Sequence, residues 1–416
     1  MVVGQRGSFG ESKQKEVMPM SSLALYGGKP VRNMRLSYGH QYIDEDDIQA
    51  VTEVLRSDFL TCGPKTTELE GALCRLTGAA HCTAVSNGTA ALHVACLAAG
   101  IGPGNEVITT PITFAASANA ILYCGGTPVF ADIDPKTYTI DPASIEQCLT
   151  ERTKAIIAVD FTGAACNYRS IRDICQRHNL LLIEDAAHSI GTTYYGTPVG
   201  SIADLTTFSF HPVKTITAGE GGAVLTKDSA LARRVELFAK HGITRDPVLL
   251  QERGNSNWYY EQQLLGYNYR MTDIQCALAL SQLNKLDRFA ARRKELVQRY
   301  DKAFHEIPEV IVQTEVDGSD TVRHLYILRL DFTRLTCDRK EFYDAMQAEN
   351  IGVNVHYIPV YWFPYYRALG YQKGLCPNAE AYYESSMTLP LFYGMTDRDQ
   401  EDVIGAVKKL IAYFRK

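Results

Sequence analysis

Between His81 and Ile183 the chain alternates short apolar runs with helix-like segments, and this alternation limits the fold more than any other feature. The runs His81 to Val85, Glu106 to Thr110, Pro128 to Ala131, Ala155 to Asp160 and Leu180 to Ile183 predict strands. Ala90 to Ala99, Phe114 to Cys124 and Arg172 to His178 predict helices between them. Strands that are apolar on both faces belong in a parallel or mixed sheet with helices covering each side.

The flanks extend this reading. Ile48, Val51, Val54 and Leu55 recur at helical spacing and predict a helix over Asp44 to Arg56, with Asp44 as its N-cap. A second helix is expected from Thr66 to Leu76, and a long one from about Thr272 to Tyr300. Beyond residue 301, a strand-like stretch (His324 to Leu330) and two helix-like ones (Arg339 to Glu349, Arg398 to Phe414) predict a smaller α/β domain. The polar, aperiodic opening, residues 1 to 21, reads as a disordered extension.

Several function classes are disfavoured. With 416 residues and 46% hydrophobic content, a sizeable core is expected. A net charge of -5 gives no basic footprint for nucleic acid. No apolar run approaches the ~20 residues of a membrane span, and no secretory signal is visible at the start. Eleven cysteines are scattered without a C-x-x-C pair, which matches neither a disulfide framework nor a zinc site. No metal is expected, and a reducing cytoplasm is the expected compartment. The signatures G-x-x-x-x-G-K-[ST], G-x-S-x-G and H-E-x-x-H are missing, and Gly100-Ile101-Gly102-Pro103-Gly104 follows a helix rather than a strand.

Three places could carry chemistry. Ser86-Asn87-Gly88-Thr89 lies between a strand and a helix start, where free N–H groups favour a phosphate; an ordinary βα turn looks the same. Asp185 directly follows an apolar strand, at the edge where open α/β sheets bind ligands, although a carboxylate there could equally cap a helix. Lys214 sits in FSFHPVKTITAGEGGAVLT, Phe208 to Thr226, between two apolar strands. Burial lowers a lysine's pKa, and a neutral amine is what Schiff-base chemistry with a carbonyl cofactor requires. A solvated loop lysine is the alternative.

Taken together, these stretches resemble the sugar aminotransferases of the DegT/DnrJ/EryC1/StrS family. The resemblance runs from about residue 22 to the C-terminus through LALYGGKPVR, VSNGTAALH, TTPITFAASANAI, IEDAAHSIG, the Lys214 stretch, GYNYRMTDIQCALALSQL and HYIPVY. It implies the PLP-dependent transferase fold of the aspartate aminotransferase type (fold type I). A large PLP-binding domain with a mixed central sheet would span 22–285, and a smaller C-terminal α/β domain 286–416.

By the same resemblance Lys214 would hold pyridoxal 5'-phosphate (PLP) and move a proton, and Asp185 would pair with the pyridinium nitrogen. Gly88, Thr89 and Ser209 would bind the phosphate, Phe114 would stack on the ring, and His188 would lie near its phenolic edge. Asn268 would reach the phosphate from the neighbouring subunit of a homodimer. Tyr38, Asp58, Phe59, Leu60, Thr61, Arg323, His324, Leu325 and Tyr326 would contact the substrate, with Arg323 standing where an amide is expected.

SFHPVKTITAGEGG and ITTPITFAASAN point to one branch of the family. The reaction implied moves the amino group of L-glutamate to C4 of a UDP-linked 4-keto-6-deoxy-N-acetylhexosamine. Its products would be UDP-4-amino-4,6-dideoxy-N-acetyl-β-L-altrosamine, of pseudaminic acid biosynthesis, and 2-oxoglutarate. The alternatives are a different nucleotide-linked 4-keto sugar (bacillosamine-type), a PLP-dependent sugar dehydratase or a non-catalytic regulator. Lys214 argues against the dehydratase, whose branch carries His at that position.

Overall fold

A computed structural model describes residues 23–252 and 256–416; the expected extension at 1–21 lies outside the described residues. Seven strands form the main sheet: β1 (His81–Val85), β2 (Glu106–Thr109), β3 (Thr127–Phe130), β4 (Thr153–Val159), β5 (Leu181–Asp185), β6 (Leu205–Ser209) and β7 (Gly222–Thr226). Their order across the sheet is β1-β7-β6-β5-β4-β2-β3. Within it β7 is antiparallel to both of its neighbours, and β2 to β6 pair in parallel. The sheet is therefore mixed, as the strand composition predicts.

Helices cover both faces because successive strand residues are apolar. Ile156 on β4 packs with Leu69, Leu73 and Phe208 on one side of the sheet. Ile157, one residue on, packs with Ala91, Leu92 and Val224 on the other. The helices expected near the start are observed at Glu45–Leu55 and Pro64–Thr77. Asp44 heads the first in a reciprocal capping box with Asp47, which satisfies donors that the helix start leaves open.

A second core gathers Leu296, Tyr300, Phe304, Leu328, Phe342 and Leu410 around the strands Tyr326–Leu330 and Ser386–Leu389. Leu23 and Leu36, from the stretch expected in the larger unit, pack into this core instead. The reason is pairing across the chain: Leu36 N–H donates to the Asn350 carbonyl, and Gly352 N–H donates back to the Leu36 carbonyl.

The long helix predicted from Thr272 to Tyr300 is two helices, Asp273–Leu283 and Leu286–Phe304. Between them Asn284 and Lys285 form a turn, with Lys285 at φ −104° and ψ −1°. Its buried ammonium pairs with Asp44 and, at 2.9 Å, with Asp47.

Candidate active site

The carboxyl ends of β5 and β6 bring Asp185 and Ser209 to one edge of the sheet, where open α/β sheets bind ligands. β1 ends at the same edge, and after Ser86 the helix Gly88–Ala98 begins there. Asn87 caps that helix, its side chain accepting the Ala90 N–H at 2.8 Å. The first helical N–H groups, from Gly88 and Thr89, have no carbonyl partner within the helix and offer an anion site. Gly88 packs directly against Ser209: a Cβ in its place would stand 2.8 Å from the serine Cβ and 3.0 Å from its hydroxyl oxygen. A hydroxyl and unpaired amide groups thus converge in a cradle that only glycine leaves open.

Lys214 follows β6 through a tight turn, its N–H bonded to the His211 carbonyl at 2.9 Å. The side chain keeps some exposed surface, yet burial dominates its titration and lowers the ammonium to about 8; Asp185 pulls the other way. A substantial fraction of neutral amine therefore exists near neutral pH.

Asp185 is buried and well bonded. One carboxylate oxygen accepts the Ser117 hydroxyl at 2.7 Å, and the other the Ala187 N–H at 3.2 Å. Ser117 in turn lies 2.7 Å from the Thr113 hydroxyl. Burial raises the carboxyl pKa, while Ser117, Ala187 and Lys214 restrain the rise.

His188 sits one turn beyond Asp185, with its Nδ1 buried and unpartnered. Its ring centroid is 4.5 Å from that of His324, and its Nε2 is 3.5 Å from the Tyr357 hydroxyl. Burial holds both imidazoles well below the ordinary histidine range, and Lys214 adds to the effect at each. Phe114 is 64% exposed and stands 6.3 Å from Tyr357, so a ring face is free to stack. Tyr38 lies against His356, with ring centroids 5.4 Å apart.

Other predicted residues go elsewhere. Tyr326 belongs to the second core: its ring packs 4.7 Å from Tyr300 and its hydroxyl donates to Asp301, because its strand pairs with Ser386–Leu389. Leu325 is buried with Phe161, Ile327 and Val360. Arg323 is buried too, its guanidinium engaged by Thr162, Gln313 and Glu315. Of that quartet only His324 reaches the Lys214 region.

Asp58, Phe59, Leu60 and Thr61 form an exposed loop anchored at Thr272–Asp273, where the Leu60 carbonyl accepts the Asp273 N–H. Asn268 bridges Lys240, two residues before Arg270 meets the end of β1. Ser117, Tyr357 and His356 are site residues to which sequence reasoning gave no role. The stretches TTPITFAASANAI and HYIPVY contain them, and that was the available signal.

The cradle, the half-buried amine and the buried carboxylate suit PLP, with its phosphate, aldehyde and pyridine nitrogen spread across one edge of the sheet. On this fold the arrangement defines a PLP-dependent aminotransferase. Comparison with known proteins agrees. Residues 41–408 match the DegT/DnrJ/EryC1/StrS aminotransferase family, and the chain belongs to it. It is 43% identical over 382 residues to the spore coat polysaccharide biosynthesis protein SpsC of Bacillus subtilis, covering 91% of this chain and 98% of that one.

Among solved structures it resembles Helicobacter pylori PseC, an aminotransferase involved in pseudaminic acid biosynthesis. The identity is 32% and the TM-score 0.83, with 90% of this chain and 99% of that one covered. The Streptococcus pneumoniae sugar-aminotransferase candidate Spr1654, in its PMP form, gives 32% identity and a TM-score of 0.84 over 90% and 97% of the two chains. The protein is thus a sugar aminotransferase that uses PLP.

Proposed function

We propose that the protein transfers the amino group of L-glutamate to C4 of a UDP-linked 4-keto-6-deoxy-N-acetylhexosamine, giving UDP-4-amino-4,6-dideoxy-N-acetyl-β-L-altrosamine and 2-oxoglutarate. The observation that carries the amino-transfer part is the lysine whose ammonium burial lowers to about 8, set beside a buried aspartate. The likeness to PseC supports the choice of sugar.

The chain's residues divide the work. Gly88, Thr89 and Ser209 grip the cofactor phosphate, and Asp185 holds the pyridine nitrogen protonated, with Ser117 orienting the carboxylate. PLP bound there supplies an electron sink and a temporary carrier for the amino group. Lys214 Nζ takes a proton from the α-carbon of glutamate and later delivers one to the sugar C4. Phe114 would stack on the cofactor ring and His188 would lie near its phenolic edge, with the His324 ring 4.5 Å from that of His188. Asn268 reaches the phosphate of the neighbouring subunit in a homodimer, and the exposed Asp58–Thr61 loop and Tyr38 meet the nucleotide sugar. The two substrates bind in turn, so ping-pong kinetics are expected.

The test supplies PLP, L-glutamate and separately generated UDP-4-keto-6-deoxy-N-acetyl-L-altrosamine or its D-gluco epimer, with products read by NMR. Amination of the altro compound alone supports the proposal. Amination of the other epimer alone moves the enzyme to a bacillosamine-type reaction, and amination of neither overturns the sugar assignment.

A further inference from the structure

A buried, β-branched residue stands in left-handed backbone geometry next to the site. Thr162 has φ 65° and ψ −5° and is fully buried. A β-branched side chain avoids this region, and such an outlier persists only where its surroundings enforce it. Here three consecutive residues from the C-terminal unit do so. The Thr162 carbonyl accepts N–H groups from His324 at 2.7 Å and from Leu325 at 3.3 Å. Its hydroxyl oxygen accepts the Arg323 guanidinium at 2.9 Å and the Gln313 side-chain amide at 3.0 Å.

The residues on either side close on the same segment. A Cβ on Gly163, at φ 101°, would stand 2.3 Å from the Val322 carbonyl oxygen, 3.0 Å from the His324 nitrogen and 3.1 Å from the His188 carbonyl oxygen. Phe161 packs with Leu325 in one buried cluster, and its ring lies 6.1 Å from His188 and 5.9 Å from Tyr357. Thr192 completes the clasp, donating its hydroxyl to the Gly163 carbonyl and accepting the Val322 N–H, each at 2.9 Å.

We infer that Thr162 is a positioning residue: it clamps the Arg323–Leu325 backbone so that the His324 imidazole stands against His188 beside Lys214, and it engages Arg323 so that this arginine serves as a strut rather than a sugar ligand. The inference rests on the substrate reading proposed above only for what His324 faces. The clamp itself follows from the hydrogen bonds. Oγ1 holds the Arg323 guanidinium and the carbonyl holds the His324 and Leu325 N–H groups, so the segment is pinned at adjacent points and removing the hydroxyl loosens the hold on His324 as well. The strained backbone directs both toward one segment.

The test uses the full-length PLP-bound protein with Thr162→Val, Thr162→Gly and Thr162→Ser. Valine keeps the shape without the hydroxyl, and glycine relieves the backbone if valine prevents folding. Two readouts are taken, the imidazole NMR titration of His324 and the two half-reactions measured separately. In the wild type, burial and the facing His188, Lys214, Arg293 and His356 hold His324 well below the ordinary histidine range.

In the valine and glycine variants its midpoint should move up toward the ordinary histidine value. The half-saturating keto-sugar concentration should rise about tenfold, while the glutamate half-reaction stays within about twofold. Serine should restore both readouts. An unmoved His324 titration, or an equal slowing of the two half-reactions, overturns the inference. If the wild type aminates no keto sugar, the substrate reading fails, and the His324 titration alone decides the clamp.

Discussion

Gly88 and Ser209 approach so closely that a methyl group on the glycine would lie 2.8 Å from the serine Cβ. Real Cβ atoms do not tolerate that distance against a neighbour held on a buried strand. Gly88→Ala should be tolerated by the backbone, since Gly88 opens the helix without a positive φ. It should still push Ser209 out of the phosphate cradle. The expected result is a PLP affinity lower by about tenfold or more, with a thermal midpoint of the PLP-free protein close to wild type. Titration by visible absorbance measures the first and a melting curve the second. Unchanged PLP affinity would remove Gly88 and Ser209 from the phosphate site.

Lys214 yields a pH prediction with a definite sign. Burial lowers its ammonium from 10.5 to about 8. At pH 7 about a tenth of the amine is then neutral, several hundredfold more than for an ordinary lysine. The rate at which the PLP-free protein captures PLP should climb through pH 8 and level off above it, and Lys214→Ala should abolish both capture and turnover. Linkage sets the stability effect. Between about 8 and 10.5 the unfolded chain holds the proton and the folded chain does not, so this group makes the PLP-free protein more stable as pH rises across that window. Lys214→Met should flatten the rise. A capture rate that increases only above pH 10 would contradict the buried-amine reading.

Asp185 should be separable from the fold that carries it. Asn keeps an oxygen able to accept the Ser117 hydroxyl, now at 2.7 Å, but brings no negative charge to the ring nitrogen. Asp185→Asn is expected to fold and to bind PLP more weakly. Turnover should fall roughly 10- to 100-fold, the worth of one charged hydrogen bond. Ser117→Ala should act in the same direction and by less, because it only frees the carboxylate to rotate. Turnover of Asp185→Asn within about threefold of wild type would dismiss its cofactor role.

Legibility from sequence followed the range of the interactions. The β–α order and the Asp44 cap are local patterns, and they could be read directly. Asp185 ends β5 and Lys214 follows the end of β6, its parallel neighbour, so chain order and the sheet edge already place them near each other. Thr162 could not be found this way, since its left-handed backbone opposes its own propensity and is imposed by residues some 160 positions away. Arg323 to Tyr326 look like one motif, but only packing shows that His324 faces His188 while Tyr326 joins the second core. The break at Lys285 was hidden because Leu283, Leu286 and Phe289 keep an apolar rhythm across it. At the break Lys285 is engaged by Asp44 and Asp47, about 240 residues upstream, a contact no local pattern shows.

The shared-site proposal can be tested by mixing two inactive variants. Lys214→Ala disables the site that holds the lysine, and Asn268→Ala disables the site that the asparagine reaches. If Asn268 acts across a homodimer, reassembled mixtures contain one site with both intact residues. At most about a quarter of wild-type activity should return, since half the dimers are mixed and each has one good site. No recovery in a mixture shown by mass spectrometry to contain heterodimers would place Asn268 in its own subunit's site.

His356 makes the last prediction, on acid stability. The ring is buried and its Nδ1 lies 2.7 Å from the Thr388 hydroxyl. Burial lowers its pKa from 6.5 to about 4, and Lys214 adds to the shift. Between those two values the unfolded chain binds a proton that the folded chain refuses. Stability therefore falls as pH drops from 6.5 toward 4, by an amount on the order of 2–3 kcal/mol from this group. His188 and His324 shift in the same direction, so the wild-type loss should exceed that figure.

His356→Asn removes the titration while keeping a side chain that can bond Thr388. At pH 7 it should cost about 1 kcal/mol or less for the altered hydrogen bond. At pH 4.5 the variant should match or surpass the wild type. Urea unfolding at the two pH values is the measurement. Parallel losses in the two proteins would mean that burial does not depress the His356 pKa in the folded state.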